Sequence, residues 1–258
     1  MMIELNNINK YFNVGTVNES CIFNNFSLSV KKGEFVSIVG SNGSGKTTLL
    51  NLISGTLPLD SGNIILDGTD ITSVPEYKRA ARIARVFQDP SVGTVPSMTI
   101  LENLSLAENK GKPYSFGLAV NKKKCEQYRE TVRRLGLGLE DKMNVPVGLL
   151  SGGQRQALSL IMSTMTPMDL LLLDEHTAAL DPKTAEIIME LTDKIVKEKN
   201  ITTLMVTHNL RYAVEYGNRI IMMHSGEMVI DKAGVDKSEL MVDDLLDTFN
   251  SISIECGN

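Results

Sequence analysis

One run of residues constrains this chain more than any other: Gly40-Ser41-Asn42-Gly43-Ser44-Gly45-Lys46-Thr47. It matches G-x-x-x-x-G-K-[ST], and its setting agrees with the match. The apolar segment Phe35 to Val39 reads as a buried strand before it, and Thr48 to Ser54 reads as a helix after it. The glycines let the backbone turn tightly and aim its N–H groups at phosphate oxygens. The helix start adds partial positive charge at the same place. Lys46 supplies a mobile point charge for β- and γ-phosphates, and the Thr47 hydroxyl suits Mg2+. The bland alternative is a glycine-rich turn that happens to hold a lysine. The motif implies a bound nucleoside triphosphate and leaves open what its hydrolysis drives.

A second segment supplies the matching acids. Leu170-Leu171-Leu172-Leu173 is a continuous apolar strand that ends in Asp174-Glu175. Parallel sheets collect ligands at the carboxyl ends of their strands, so Asp174 is expected beside the loop, holding Mg2+ directly or through water. Glu175 is then the candidate to orient or deprotonate an attacking water. The competing reading is a pair of acids capping the next helix. Downstream, Asp181 followed by Pro182 predicts a helix N-cap with proline at the first helical position.

The remaining pattern is α/β. Phe35 to Val39, Asp169 to Leu173 and Thr202 to Val206 are nearly continuous apolar runs, as in a parallel sheet covered on both faces. Thr184 to Lys199 predicts a helix with Ile187, Ile188, Leu191 and Ile195 on one stripe. Asn63 to Ile71, with Asp67-Gly68 at its turn, and Arg219 to Ile230, with Ser225-Gly226, predict hairpins. Asp89 to about Ser163 shows no run of strands, and Thr131 to Leu137 looks helical, so this stretch reads as a helical insertion between two halves of the core.

Bulk properties narrow the function. The net charge of -5 argues against non-specific nucleic-acid binding, and 42% hydrophobic residues suffice for a sizeable core. No apolar run reaches the roughly 18 residues that a membrane span needs. The N-terminal segment, with Glu4 and several asparagines, does not resemble a signal peptide, which leads to the expectation of a cytoplasmic protein. Cys21, Cys125 and Cys256 are too scattered for a metal or disulfide framework.

Leu150-Ser151-Gly152-Gly153-Gln154 matches the signature sequence of ABC ATPases, and Gln88, after Val86-Phe87, resembles that family's Q-loop glutamine. Ala179-Leu180-Asp181 resembles its D-loop, and His208, after the strand Thr202 to Thr207, its switch histidine. These motifs occur in the family's order, and the resemblance runs from about Ile3 to Met228. It implies an α/β fold: a P-loop NTPase core with a mixed sheet, an antiparallel β subdomain and an inserted α-helical subdomain. Residues 1–258 would then form a single ABC ATPase domain. Within it, 1–88 and 164–258 make the RecA-like core plus β subdomain, and 89–163 make the helical subdomain with the signature.

The resemblance also implies a site and a cycle. ATP would lie on Gly40, Ser41, Asn42, Gly43, Ser44, Gly45, Lys46, Thr47 and Thr48. Mg2+ would be held by Thr47, Gln88 and Asp174, with Glu175 and His208 catalytic. A family aromatic stacks on adenine; spacing after Lys10 favours Phe12, with Tyr11 as the fallback. Two copies would face head to tail, so that Ser151, Gly152, Gly153 and Gln154 of one chain close on the γ-phosphate held by the other, beside Asp181. A helix start there makes a second anion cradle. Partners implied are a second identical copy, an integral membrane permease gripped through Ser91 to Ala107, and an extracytoplasmic substrate-binding protein. The chain would sit on the inner face of the cell membrane through the permease.

The segment Asp174 to Pro182 is most similar to ATPases of bacterial uptake systems for amino acids such as tryptophan or tyrosine. Alternatives are an exporter ATPase for a lipid, lipoprotein or peptide, a soluble ABC ATPase acting on ribosomes or DNA, and a module that holds ATP without turnover. Intact Lys46, Asp174, Glu175 and His208 argue against the last. Val14 to Ser20 has no assigned role. His176, where relatives carry a smaller residue or proline, either lies near the water path or starts the next turn.

Overall fold

A computed structural model describes residues 1–112, 120 and 122–255. Two sheets organise them. Strands β1 (Ile3–Phe12), β2 (Ser20–Val30), β4 (Ser61–Leu66) and β5 (Thr69–Asp70) form an antiparallel sheet in the order β2-β1-β4-β5. The second sheet has the order β10-β9-β3-β8-β7-β6. It is built from β3 (Phe35–Gly40), β6 (Ile83–Val86), β7 (Leu170–Asp174), β8 (Thr202–Val206), β9 (Arg219–His224) and β10 (Glu227–Ala233). All neighbours in it are parallel except β9 and β10. Every residue of β3, β7 and β8 is buried, which accounts for their unbroken apolar runs. Thr202 to Val206 is found with its expected ends, while Asp169 to Leu173 is shifted by one residue.

Helix α1 (Lys46–Ser54) leaves the loop after β3, and the short α2 (Glu76–Arg79) follows β5. Arg79 is buried and donates to the carbonyls of Leu52, Ile53, Thr72 and Val74, which satisfies the free end of α1. Between β6 and β7 lie α3 (Ile100–Glu108), α4 (Cys125–Arg133) and α5 (Gly152–Thr164). The expected helix at Thr131 to Leu137 ends instead at Arg133, because Gly136 (φ 66°) and Gly138 (φ 68°) take left-handed conformations that stop it.

After β7 comes α6 (Pro182–Lys199), capped as expected: the Asp181 carboxylate accepts from the Thr184 N–H at 3.1 Å, with Pro182 at the first position. Its buried stripe is Ala185, Ile188, Met189, Thr192, Ile195 and Val196. Ile187 is a correction. It is exposed, lying about 100° around the helix from Ile188, on the edge of the stripe. Helices α7 (Leu210–Glu215), α8 (Val235–Ser238) and α9 (Val242–Glu255) complete the chain.

Both predicted hairpins form. Asp67 and Gly68 (φ 46° and 73°) and Ser225 and Gly226 (φ 46° and 81°) have positive φ at both central positions, the geometry that matches strand twist. The apolar core lies on both faces of the six-stranded sheet. One part joins it to α3 through α6, and another joins it to α1 and the antiparallel sheet. Among the described residues no helix is long and apolar enough to cross a membrane. Among the described residues Cys21 and Cys125 form no disulfide, and Cys256 lies outside them.

Candidate functional site

The loop Gly40–Gly45 joins the central strand β3 to α1. Gly43 (φ 80°) and Gly45 (φ 98°) take left-handed conformations, and a side chain at Gly45 would press to 2.9 Å from the Phe23 ring. Only glycine meets both conditions without strain. Lys46 is buried, and its ammonium curls back to donate to the carbonyls of Gly40 (2.8 Å) and Ser41 (2.9 Å). Burial pulls its pKa down, and the carboxylates of Glu175 and Asp174 pull it back up. The loop also meets the β9–β10 turn, whose Gly226 N–H donates to the Ser44 carbonyl at 3.2 Å. Thr47 and Thr48 open α1, and Thr47 Oγ1 lies 3.5 Å from Asp174 Oδ1.

Parallel pairing of β3, β8 and β7 places three strand ends side by side. Asp174 ends β7 and Glu175 follows it with φ 47°, left-handed for a residue with a Cβ. That conformation costs on the order of 1 kcal/mol and turns the side chain out of the sheet. The Glu175 N–H is held by the Val206 carbonyl at 3.0 Å, at the end of β8. His208 follows Thr207, just beyond the end of β8 at Val206. Its Nε2 lies 2.6 Å from Glu175 Oε1. A cleft of about 420 Å3 opens there, lined by Glu175, Thr177, Leu180, Thr207 and His208 among others. It offers room for water against the carboxylate.

Other candidate residues stand outside this cluster. Gln88 is exposed just past β6, and the Phe87 carbonyl before it is held by Gln156 Nε2 at 3.2 Å. Ser151 caps α5: its hydroxyl accepts from the Gln154 N–H, and Gln154 Oε1 accepts from the Ser151 N–H. Ser151 and Gly152 are exposed, while a side chain on Gly153 would come within 2.2 Å of Thr184 on α6. The signature turn therefore presents an open helix start, as an anion cradle requires. Phe12 is half-buried, with the Lys10 ammonium 5.5 Å from its ring centre. The Tyr11 N–H is occupied by Asp60 at 2.7 Å. Among the described residues no hydrogen bond joins Phe12, Gln88 or the Ser151–Gln154 turn to Lys46, Thr47, Asp174 or Glu175.

A model of the ABC transporter family matches residues 23–178. The chain belongs to that family. It is 52% identical, over 96% of its length and 98% of the other's, to a tyrosine transport ATP-binding protein of Clostridioides difficile. It is 36% identical over 89% of its length to the spermidine/putrescine import ATP-binding protein PotA of Haemophilus influenzae, of which it spans 57%. Among solved structures it is similar to the dimeric, post-hydrolysis state of the ATP-binding cassette MJ0796 bound to ADP and Pi. There the TM-score is 0.76 at 31% identity, covering 90% of this chain and 98% of that one. The chain is thus an ATP-binding and ATP-hydrolysing subunit of an ABC transporter, with the ABC ATPase fold expected from its motifs.

Two features of this ABC ATPase escaped the motifs. Arg85, inside the buried strand β6, pairs with Asp174 Oδ2 at 2.5 Å. The only sequence signal was a charge within an otherwise apolar segment. His176, directly after Glu175, is buried, and its Nε2 meets Thr192 Oγ1 on α6 at 3.1 Å. It turns into the protein as part of the β7–α6 packing, and the cleft beside Glu175 is lined by its neighbours. Burial pushes its pKa down from 6.5 to about 4.

The unfolded chain therefore binds a proton below pH 6.5 that the folded chain refuses until about pH 4. Stability contributed by neutral His176 is present above pH 6.5 and is lost as pH falls, by about 2 kcal/mol at pH 5. His176→Gln removes this term. Urea denaturation at pH 7 and pH 5 should show the variant losing about 2 kcal/mol less than wild type between the two. Equal losses would show that His176 is not held neutral.

Proposed function

We propose that this subunit dimerises around two ATP molecules with Mg2+ and powers import of an amino acid such as tyrosine, or a similar small solute, through a membrane permease. The observation that carries the import reading is the identity of 52%, over nearly the whole of both chains, to a protein named for tyrosine transport. The name of PotA, an import ATP-binding protein, agrees in direction. The dimeric MJ0796 cassette supports pairing of two copies.

In this reading Gly40 to Gly45, Lys46, Thr47 and Thr48 hold the triphosphate, with Lys46 released from its own loop carbonyls to a phosphate. The residues fit Mg2+: a hydroxyl and a carboxylate oxygen, Thr47 Oγ1 and Asp174 Oδ1, converge, and Mg2+ takes few protein ligands beside phosphates and water. Gln88 completes the set by moving in from its exposed position. When bound, Mg2+ neutralises charge building on the β- and γ-phosphates. Glu175 accepts a proton from the attacking water in the adjoining cleft, and His208, already 2.6 Å from it, donates toward the γ-phosphate. Ser151, Gly152, Gly153 and Gln154 act on the nucleotide of the partner copy, beside Asp181. Residues 1–88 with 164–258 act as the nucleotide core and 89–163 as the permease-facing helical unit, on the inner face of the membrane.

Phe12 is assigned to the adenine. Phe12→Ala should weaken ATP binding by about 1–3 kcal/mol, the scale of one lost base stack. A fluorescence titration checks it. No change there, with a loss in Tyr11→Ala, would transfer the role to Tyr11.

The function as a whole is tested by recovering the tagged protein from its native membranes with ATP and Mg2+. A permease together with an extracytoplasmic binding protein is the expected result. A permease alone would replace import by export, and ribosomes or DNA without a permease would overturn transport by this reading.

A further inference from the structure

We propose that Arg85 is a positioning residue for Asp174: its guanidinium holds Oδ2 so that Oδ1 alone faces Thr47 and Mg2+. The inference rests on the proposed Mg2+ role of Asp174. A carboxylate end-group rotates in a broad, nearly two-fold well, so nothing in Asp174 itself decides the plane in which its two equivalent oxygens lie. In this protein the choice is made from outside. Arg85 Nη2 lies 2.5 Å from Asp174 Oδ2, and both side chains are only 11% exposed. On the other side, Oδ1 has the Thr47 hydroxyl at a loose 3.5 Å. The tight contact and the loose one fall on different oxygens.

Arg85 is itself held from several directions. Its Nη1 donates to Asn51 Oδ1 at 2.7 Å, and its guanidinium carbon lies 4.8 Å from the centre of the Phe87 ring. Its backbone carbonyl accepts from the Ser163 hydroxyl at 3.3 Å. Among the described residues its Nε is buried without a partner, so this pose keeps the bonds to Asp174 and Asn51 while leaving one donor unmet. Asn51 stands one turn beyond Thr47 on the same face of α1. Arg85 thus ties the helix that carries the Thr47 hydroxyl to the strand that carries the Asp174 carboxylate. Planar, multi-donor guanidinium suits this double grip, which a lysine ammonium reproduces only in part.

The test is the Mg2+ concentration at which a fluorescent ATP analogue reaches half its Mg2+-dependent tightening. Arg85→Met should raise it about tenfold, as loss of an outer-shell partner does, with binding in EDTA changed by no more than about twofold. Arg85→Lys should recover part of that loss. Asn51→Leu, which leaves the carboxylate and guanidinium in place, should raise it about threefold, and decides the matter if Arg85→Met does not fold. An unchanged or lowered midpoint overturns the proposal, as does an equal loss with and without Mg2+, which a merely structural role would give. Asp174→Asn separates the underlying reading. If it leaves the Mg2+ dependence intact, the role of Asp174 falls and that of Arg85 with it. If it abolishes the dependence while Arg85→Met does not move it, only the Arg85 proposal falls.

Discussion

Glu175→Gln should lower ATP turnover by about 100- to 10,000-fold, the range for losing a positioned general base, while leaving nucleotide affinity within a few-fold. The substitution is nearly isosteric and keeps an oxygen able to meet His208, which now lies 2.6 Å from Glu175 Oε1. It removes the negative charge and the basicity and little else. The backbone there is already committed: φ is 47°, and the N–H is held by Val206. The variant should therefore fold, bind ATP and stall before hydrolysis. Steady-state phosphate release gives the rate, and size-exclusion chromatography with ATP and Mg2+ should show a dimer that persists where the wild type's decays. Turnover within a few-fold of wild type would remove Glu175 from the role of base.

Ser151→Arg should depress hydrolysis by about 100-fold, comparable to deleting one preorganised donor to a charged transition state. Nucleotide binding by the isolated chain should change little. The Ser151 hydroxyl makes its bond to the Gln154 N–H at the exposed start of α5, away from the bonds of Lys46 and Thr47. In the proposed dimer its consequence for ATP arises only when a second copy supplies the triphosphate. The lost cap adds about 1 kcal/mol of local destabilisation, and Ser151→Asn, which keeps a capping side chain, separates that cost from the loss of catalysis. If monomer binding fell as far as hydrolysis, the in-trans assignment of the signature would be wrong.

How much of this was legible beforehand depended on distance along the chain. The loop from Gly40 to Thr47, the strand ending at Asp174, the cap at Asp181 and the turns at Asp67-Gly68 and Ser225-Gly226 each state their conformation within a few residues. Strands β1 and β2 carried no such statement. Asn7 (φ 50°) and Asn25 (φ 56°) sit where their pairing slips register, so the alternation of Ile3 and Leu5 is out of step with Ile8, and that of Phe23 with Phe26. A bulge breaks the period of two by which a strand is read. Ile187 failed for a related reason, since a helical stripe leaves its edges undecided until a neighbour packs against it.

By itself the sequence determined the chemistry available: a phosphate-binding loop, two carboxylates at a buried strand end, a histidine after another, and the order of motifs that makes an ABC ATPase. These are local patterns, in which neighbouring residues dictate backbone geometry. Tertiary structure alone decided which side chains meet. Parallel pairing of β7 with β8 brought Glu175 to His208, and pairing of β6 with β7 brought Arg85 to Asp174. The packing of α6 over β7 buried His176 against Thr192. Such contacts link residues tens of positions apart through hydrogen-bonded register and core packing, and no local pattern encodes them.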